Sequence, residues 1–306
     1  MHEGREATDT MGSTTAKADR LQRIDTIDLP VVEASGVGTR RVDGGTRVIV
    51  VGDRTAHVAS ATYSPREGVG DWQLVDLAAS DHWSDADSDS QFEAVASDGG
   101  SLVAVMREDP PEVFVVDTEA KRLHARLSLT APKGSPAHGK WDDPSSRGEG
   151  MVMLRDGRLL VAQEKRPRAL IEFAPRGRPA QGLSRNDFLD GESWACPTGV
   201  VEYVAVARWR LRGRAKDQFG DISDLDVGPD GSLWLLSDQS RAVARLTLEV
   251  PLVPGGDEIQ ELPELWRLPK GTTKPEGIAA VEPRRAIVAM DTRSTEGNGI
   301  LVGPPE

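Results

Sequence analysis

The 306-residue chain has only one cysteine and no long apolar run. Its one cysteine, Cys196, cannot form an internal disulfide, which fits a reducing compartment, and we expect the cytoplasm. No run approaches the ~18 apolar residues that span a bilayer, and residues 1–20 lack the apolar core of a signal peptide. The net charge of −12 disfavours nucleic acid, because phosphate backbones attract basic surfaces. We therefore expect neither a membrane nor a nucleic acid as partner.

The chain also lacks helical periodicity over most of its length. Short runs rich in Val, Leu, Ile and Ala alternate with turn sequences such as Asp156-Gly157 and Pro229-Asp230-Gly231. Asp-Gly between apolar runs is a strong hairpin signal. The polar residues 1–20 predict a disordered leader. Residues 21–306 are predicted to form a single all-β domain.

One unit of sequence recurs along this domain. Each copy begins with an oxygen-bearing side chain and reaches a carboxylate fifteen residues later, or eighteen in the first copy, after an apolar run. Four-stranded units in series are typical of a β-propeller, and we predict five blades, with six as the alternative. The last copy is too short for four strands, so the strand predicted at Leu21–Leu29 would close the ring. The pairs are Ser35 and Asp53, Glu93 and Glu108, Glu149 and Glu164, Ser223 and Asp238, and Glu276 and Asp291.

The first residues of the five copies form what we call the axial ring. Because the innermost strand of each blade lines the propeller axis, these side chains should face one another. Converging carboxylates repel unless a cation lies among them. A ligand set of oxygen atoms, without His or Cys, favours Ca²⁺ or Mg²⁺. Because the five side chains together with water would offer about six to eight oxygens, Ca²⁺ suits the site better than the octahedral Mg²⁺. The same residues could instead form hydrogen bonds between blades without a metal. The axial ring comprises Ser35, Glu93, Glu149, Ser223 and Glu276.

The motifs around the axial ring resemble those of a known family. Over about residues 33–303 the chain resembles the SdiA-regulated propeller family, and the order Ser, Glu, Glu, Ser, Glu is similar to the calcium site of the five-bladed calcium-activated nucleotidases (apyrases). The resemblance implies that the five axial-ring residues bind one Ca²⁺. The motifs are Ser35-Gly36-Val37, Phe92-Glu93-Ala94, Gly148-Glu149-Gly150, Ile222-Ser223-Asp224-Leu225 and Pro275-Glu276-Gly277-Ile278, with Gln163–Pro167 and Leu236–Arg241.

The carboxylates that end the copies form what we call the outer ring: Asp53, Glu108, Glu164, Asp238 and Asp291. The second strand of each blade runs antiparallel to the first, so the outer ring should lie beside the axial ring. Basic residues in the same loops would bind an anionic, phosphorylated substrate or a peptide. Alternatively, these charges pair with one another between blades. The basic residues are Arg54, Arg107, Lys165, Arg166, Arg241 and Arg293.

A hydrolytic reaction at this face would also need a group that activates water. Asp221 and Asp224 flank the ring residue Ser223. Glu164 and Asp238 belong to the outer ring, and His82 in a long entry loop is a candidate acid or base.

Three functions fit these residues. The first is a Ca²⁺-dependent hydrolase acting on a small phosphate ester or anhydride at the axis. The second is a non-catalytic, calcium-stabilised propeller that binds a peptide or protein on its loop face. The third is a lactonase or lyase, because propellers support many chemistries and the fold cannot choose among them.

Overall fold

The computed structural model describes residues 19–77, 91–141, 143, 147–189, 191–256 and 258–305, and its regular structure there is almost entirely β-strand. The chain begins with β1 (Asp19–Arg20) and β2 (Gln22–Ile27). The first unit comprises β3 (Ala34–Val42), β4 (Gly45–Gly52), β5 (Thr55–Ser64), β6 (Gly68–Val69) and β7 (Gln73–Asp76), with β6 and β7 both paired to β5. The second unit comprises β8 (Phe92–Ser97), β9 (Leu102–Arg107), β10 (Glu112–Asp117) and β11 (Arg122–Thr130).

The remaining units follow the same antiparallel order. The third comprises β12 (Gly148–Leu154), β13 (Arg158–Gln163), β14 (Ala169–Pro175) and β15 (Gly199–Leu211). The helix α1 (Gly213–Gln218) precedes the fourth, which comprises β16 (Asp224–Val227), β17 (Leu233–Ser237), β18 (Ala242–Leu246) and β20 (Glu264–Arg267), while β19 (Glu258–Ile259) pairs with β15. The last comprises β21 (Pro275–Glu282), β22 (Arg285–Met290) and β23 (Gly299–Gly303). Short 3₁₀ turns occupy Arg155–Gly157 and Arg185–Asp187.

The N-terminal strand completes the last unit, as predicted. β2 pairs antiparallel with β23, so the strand order there is β2-β23-β22-β21. The first strands of the five units contact one another in the cyclic order β3, β8, β12, β16, β21 and back to β3. This closed arrangement of four-stranded units within the described residues is a β-propeller, and the all-β prediction is confirmed.

The hydrophobic core lies between neighbouring units. Five clusters of buried side chains each join two units that are adjacent in the ring. On β22, for example, Ile287 and Ala289 pack toward the first unit, whereas Ala286 and Val288 pack toward the fourth. Because successive side chains point to opposite faces and both faces are covered, the inner strands are continuous apolar runs.

Two features of the turns and edges position the units. At the predicted Asp156-Gly157 hairpin both residues have positive φ, 59° and 71°, as a tight turn requires, and β12 and β13 pair across it.

At the outer edges, β11 and β15 pair in parallel and join the second and third units, which the repeat did not predict. β1 pairs in parallel with β20, so two residues of the predicted leader lie in a strand.

No helix among the described residues is both long and apolar enough to cross a membrane.

Candidate functional site

Each carboxylate of the axial ring lies on a β-bulge. The pairing of β8 with β9, of β12 with β13 and of β21 with β22 shifts register at Glu93, Glu149 and Glu276. A bulged residue is left out of the ladder, and its side chain is aimed differently from its neighbours. Ser35 occupies the same kind of position between β3 and β4, while Ser223 directly precedes β16. The repeated sequence unit therefore encodes a repeated backbone irregularity at the inner edge of the propeller.

The small residue after each bulge allows the first strands to approach one another. A Cβ atom on Gly36 would lie 2.8 Å from the Cα atom of Ala94 in the next unit. A Cβ on Gly150 would lie 2.4 Å from the backbone nitrogen of Leu225. Both distances are too short for any side chain, so glycine is required where the strands crowd around the axis.

The three ring carboxyl groups are partly exposed and lie at one mouth of the axis, which we call the ring mouth. Burial and the charge of Glu149 raise the pKa of Glu93 well above its ordinary value. Burial and the charge of Glu164 do the same to the pKa of Glu149. Burial and Asp238 raise the pKa of Glu276 to about 8. The nearby cations thus leave the negative charge at this mouth incompletely balanced.

The two ring serines keep oxygen lone pairs for a further ligand. The Ser35 hydroxyl donates to the carbonyl oxygen of Phe92, and the Ser223 hydroxyl accepts from the backbone N–H of Asp238 at 2.8 Å. A hydroxyl oxygen has two lone pairs, so each can still accept or coordinate. The donor types and the crowded charge fit calcium. Within the described residues, however, no three His, Cys, Asp or Glu side chains come close enough to hold a metal, so the ring carboxylates would have to turn toward the ion.

Asp224 does not lie at the ring mouth, where the sequence placed a catalytic candidate. Its side chain is fully buried on the axis and accepts from the backbone N–H groups of Ile278 at 2.7 Å, Leu225 at 2.8 Å and Val37 at 3.3 Å. Asp226, two residues along the same strand, accepts from Ala280 and Thr39 in the same way. These carboxylates satisfy inward-facing N–H groups of β3 and β21 that have no strand partner across the axis.

The other catalytic candidates differ in how fully their side chains are engaged. Asp221 is 2% exposed and accepts from the Ser237 hydroxyl and the Gln239 backbone N–H, so it holds the turn after β17. Asp238 and Glu164 are partly exposed at the ring mouth, and burial raises the pKa of each. His82 lies outside the described residues.

The outer ring lies beside the axial ring, as the antiparallel strands require. The carboxyl group of Asp53 hydrogen-bonds to that of Glu93, and the pKa of each is raised. The backbone carbonyl of Asp53 accepts from Gln91 at 2.8 Å, and that of Glu164 accepts from Ile222 at 3.1 Å. Outer-ring residues therefore bridge neighbouring units with their backbones while their carboxylates remain at the ring mouth.

Several of the predicted substrate-binding cations are paired within the protein. Lys165 donates to Glu164 at 2.5 Å. Arg54 and Arg293 flank Glu33, at 2.6 Å and 3.6 Å. Arg107 pairs with Glu112 at 2.7 Å and lies over the ring of Phe114, on the body of the second unit. Arg166 and Arg241 are exposed in loops, and Arg241 lowers the pKa of nearby Asp238.

Two basic residues at this mouth were missed by the sequence analysis. Lys274 pairs with the outer-ring residue Asp291 and offsets part of the rise in the pKa of Glu276. Arg147 donates to Asp109 at 2.7 Å and offsets part of the rise that burial causes in the pKa of Glu108. Both stand two residues before a ring glutamate, in the segment that leads into the first strand of a unit. That spacing was the available signal.

No protein-family model matches the chain, and no curated protein matches it. Among solved structures, it is similar to the calcium-binding protein regucalcin from Agrobacterium tumefaciens, at 14% identity over 94% of this chain and 96% of that one, with a TM-score of 0.49. It is also similar to the PQQ-bound aldose sugar dehydrogenase of Streptomyces coelicolor, at 12% identity over 92% and 96%, with a TM-score of 0.45. A luciferin-regenerating enzyme matches at 12% identity over 92% and 94%, also with a TM-score of 0.45. Similarity this low assigns neither a family nor an activity, and the resemblances stated from the sequence remain predictions.

Proposed function

We propose that the protein binds Ca²⁺ at the ring mouth and hydrolyses a small phosphorylated substrate there. The observation that carries this proposal is the crowding of Glu93, Glu149 and Glu276 on matching bulges at one end of the axis, with the pKa of each raised. Carboxylates arranged in this way are costly unless a cation joins them. The two ring serines would complete an all-oxygen ligand set.

The residues around the ring have separate roles in this proposal. Bound calcium would supply positive charge to a phosphate oxygen. Arg241 is exposed beside Asp238 and would contact the substrate phosphate. Lys274, now paired with Asp291, would share that contact. Asp238 would accept a proton from the attacking water, because it is partly exposed and its pKa is raised toward the range useful for a general base.

A second candidate is a non-catalytic propeller stabilised by calcium. It is supported by three ion pairs that engage the predicted substrate-binding cations within the protein and leave them less available to a substrate. The pairs are Lys165 with Glu164, Arg54 with Glu33 and Arg107 with Glu112. In this case calcium would secure the inner ends of the blades, and the loop face would bind a peptide or protein.

Phosphate release separates these candidates. The full chain would be screened against nucleotides and sugar phosphates, with lactones in parallel, in calcium and in excess chelator. We expect calcium-dependent phosphate release that falls at least about a hundredfold in Asp238→Asn, the usual scale for a general base. Asp43→Asn is the matched control, because Asp43 is exposed in the β3–β4 turn at the other end of the axis.

The outcomes distinguish catalysis from structure. One bound calcium without turnover of any phosphate compound would refute hydrolysis and favour the structural role. Calcium-dependent turnover of a lactone alone would assign the third class of function. Equal phosphate release by Asp238→Asn and Asp43→Asn would show that Asp238 is not the base.

A further inference from the structure

The opposite mouth of the axis holds a cavity that the proposed function does not use. Its volume is about 320 Å³, near the lower end of the range for small-molecule sites. It lies where the first strands of the units end, and its lining includes Arg40, Arg155, Arg185, Met153, Phe188 and Asp226. β3 runs from ring residue Ser35 to Arg40, a rise of roughly 17 Å at the usual spacing of a strand. The buried carboxylates of Asp224 and Asp226 lie between the two mouths.

Arg40 lines this cavity, and its charge is partly balanced by the nearby acids Asp98 and Glu119. Its Nη1 donates to the carbonyl oxygen of Gly100, but its buried Nε has no hydrogen-bond partner in the described structure. Its strand partner Arg47 likewise has a buried Nε without a partner. Burial and the charge of Arg47 lower the pKa of Arg40. A guanidinium that lines a cavity is suited to an oxyanion, because it can form paired, charge-assisted hydrogen bonds with a carboxylate.

The nearby acid does not provide that acceptor. Asp98, which also lines the cavity, is 1% exposed and already accepts from the backbone N–H groups of Gly100, Leu102 and Trp194. Both of its carboxylate oxygens are therefore engaged by backbone N–H groups, and it acts on Arg40 through its charge and not through a hydrogen bond.

The other arginines of the cavity divide into engaged and available groups. Arg155 forms a two-pronged pair with Glu192 at 2.9 Å and 2.8 Å, and Arg41 donates to the carbonyl oxygen of Pro229. Arg185 is exposed and lies over Gly231, and no ion pair among the described residues engages it. Arg40 inside the cavity and Arg185 near its entrance are thus the donors open to a ligand.

The remaining lining limits the charge of that ligand. Met153, Phe188 and Leu189 provide an apolar wall. The carboxylate of Asp226 lies at the inner end, hydrogen-bonded to Thr39 and Ala280. Burial raises the pKa of Asp226 to about 7, and in its ionised form it would repel a second negative charge, whereas an apolar group would be accommodated by the wall.

We propose that this cavity is a binding site for a small organic monocarboxylate, whose carboxylate pairs with Arg40 while its apolar body packs on Met153, Phe188 and Leu189. Arg185 contacts the ligand at the entrance. The site is independent of calcium and of the reaction at the ring mouth.

Isothermal titration of the full chain with benzoate tests this site. Benzamide, which has the same shape without the charge, and phenylphosphonate, which carries more charge, are the comparison probes. We expect benzoate to bind with a dissociation constant below about 10 mM and at least tenfold more tightly than benzamide, in calcium and in chelator alike. Arg40→Gln should weaken benzoate binding at least about tenfold. Arg284→Gln, an exposed change on the β21–β22 turn at the same end of the propeller, should leave it unchanged.

Arg185 is exposed, so it can be replaced without disturbing the folded interior, and it provides a second variant. Arg185→Gln should weaken benzoate binding about threefold, as expected for a partly solvated contact. Equal binding of benzoate and benzamide, absence of benzoate binding, or wild-type affinity in both arginine variants would overturn the proposal. Tighter binding of phenylphosphonate than of benzoate would overturn its assignment to monoanions.

Discussion

Calcium binding at the ring mouth should release protons, because the ring carboxylates hold protons that a metal must displace. Burial and the charge of Asp238 raise the pKa of Glu276 to about 8, so most of this group is protonated at pH 7. The pKa values of Glu93 and Glu149 are also raised well above their ordinary value. We therefore expect at least about one proton to leave for each calcium bound at pH 7.

The sign of the pH dependence follows from the same shifts. A raised pKa in the folded protein means that protons compete with calcium until the pH exceeds that pKa. Calcium affinity should rise at least about tenfold between pH 6 and pH 7 and continue to rise to at least about pH 8. Without metal, the ring groups favour folding most below their ordinary pKa, and this contribution is lost as the pH rises toward 8.

Calorimetry in two buffers of different ionisation enthalpy, such as PIPES and Tris, measures the released protons. Glu149→Gln removes one charge with little change of shape and should weaken calcium binding at least about tenfold. Glu67→Gln, an exposed change far from the ring in sequence, serves as the control. A binding heat that does not depend on the buffer, or equal affinity of the two variants, would refute the argument.

Three further predictions concern stability, each measured by urea unfolding of the metal-free protein. Asp224→Ala should lower the free energy of unfolding by about 3–5 kcal/mol, because three backbone N–H groups lose their acceptor. A decrease below about 1 kcal/mol would contradict that role. Arg158→Met should cost about 3–5 kcal/mol by leaving buried Glu172 unpaired, and a double variant with Glu172→Met should recover part of the loss. Deleting residues 19–29 removes the strand that pairs with β23, and it should lower the free energy of unfolding by on the order of 5 kcal/mol and weaken calcium binding.

The repeat made much of the fold predictable. The ring residues begin each copy, and the structure puts four of the five on equivalent bulges, while Ser223 directly precedes β16. Strand β2 was predictable because the last copy is one strand short and an unpaired sheet edge is unfavourable. These inferences need only local alternation and the closure of a ring.

The features that were not predictable depend on partners distant in the chain. Nothing in the sequence near Arg107 indicates that Glu112 and Phe114 engage it, since the strand register decides that contact. The parallel pairing of β11 with β15 joins two outer edges through tertiary packing. Asp224 resembled a site residue because it follows Ser223. Its actual role depends on N–H groups of β3 and β21, which only the assembled axis brings within reach.

The most direct test of the calcium site is a crystal structure of the full chain grown in millimolar Ca²⁺. We predict one ion on the axis, bound by carboxylate oxygens of Glu93, Glu149 and Glu276 at about 2.3–2.6 Å, with the Ser35 and Ser223 hydroxyls in the same coordination shell. An axis without calcium, with these carboxylates still apart, would show that the ring does not bind calcium.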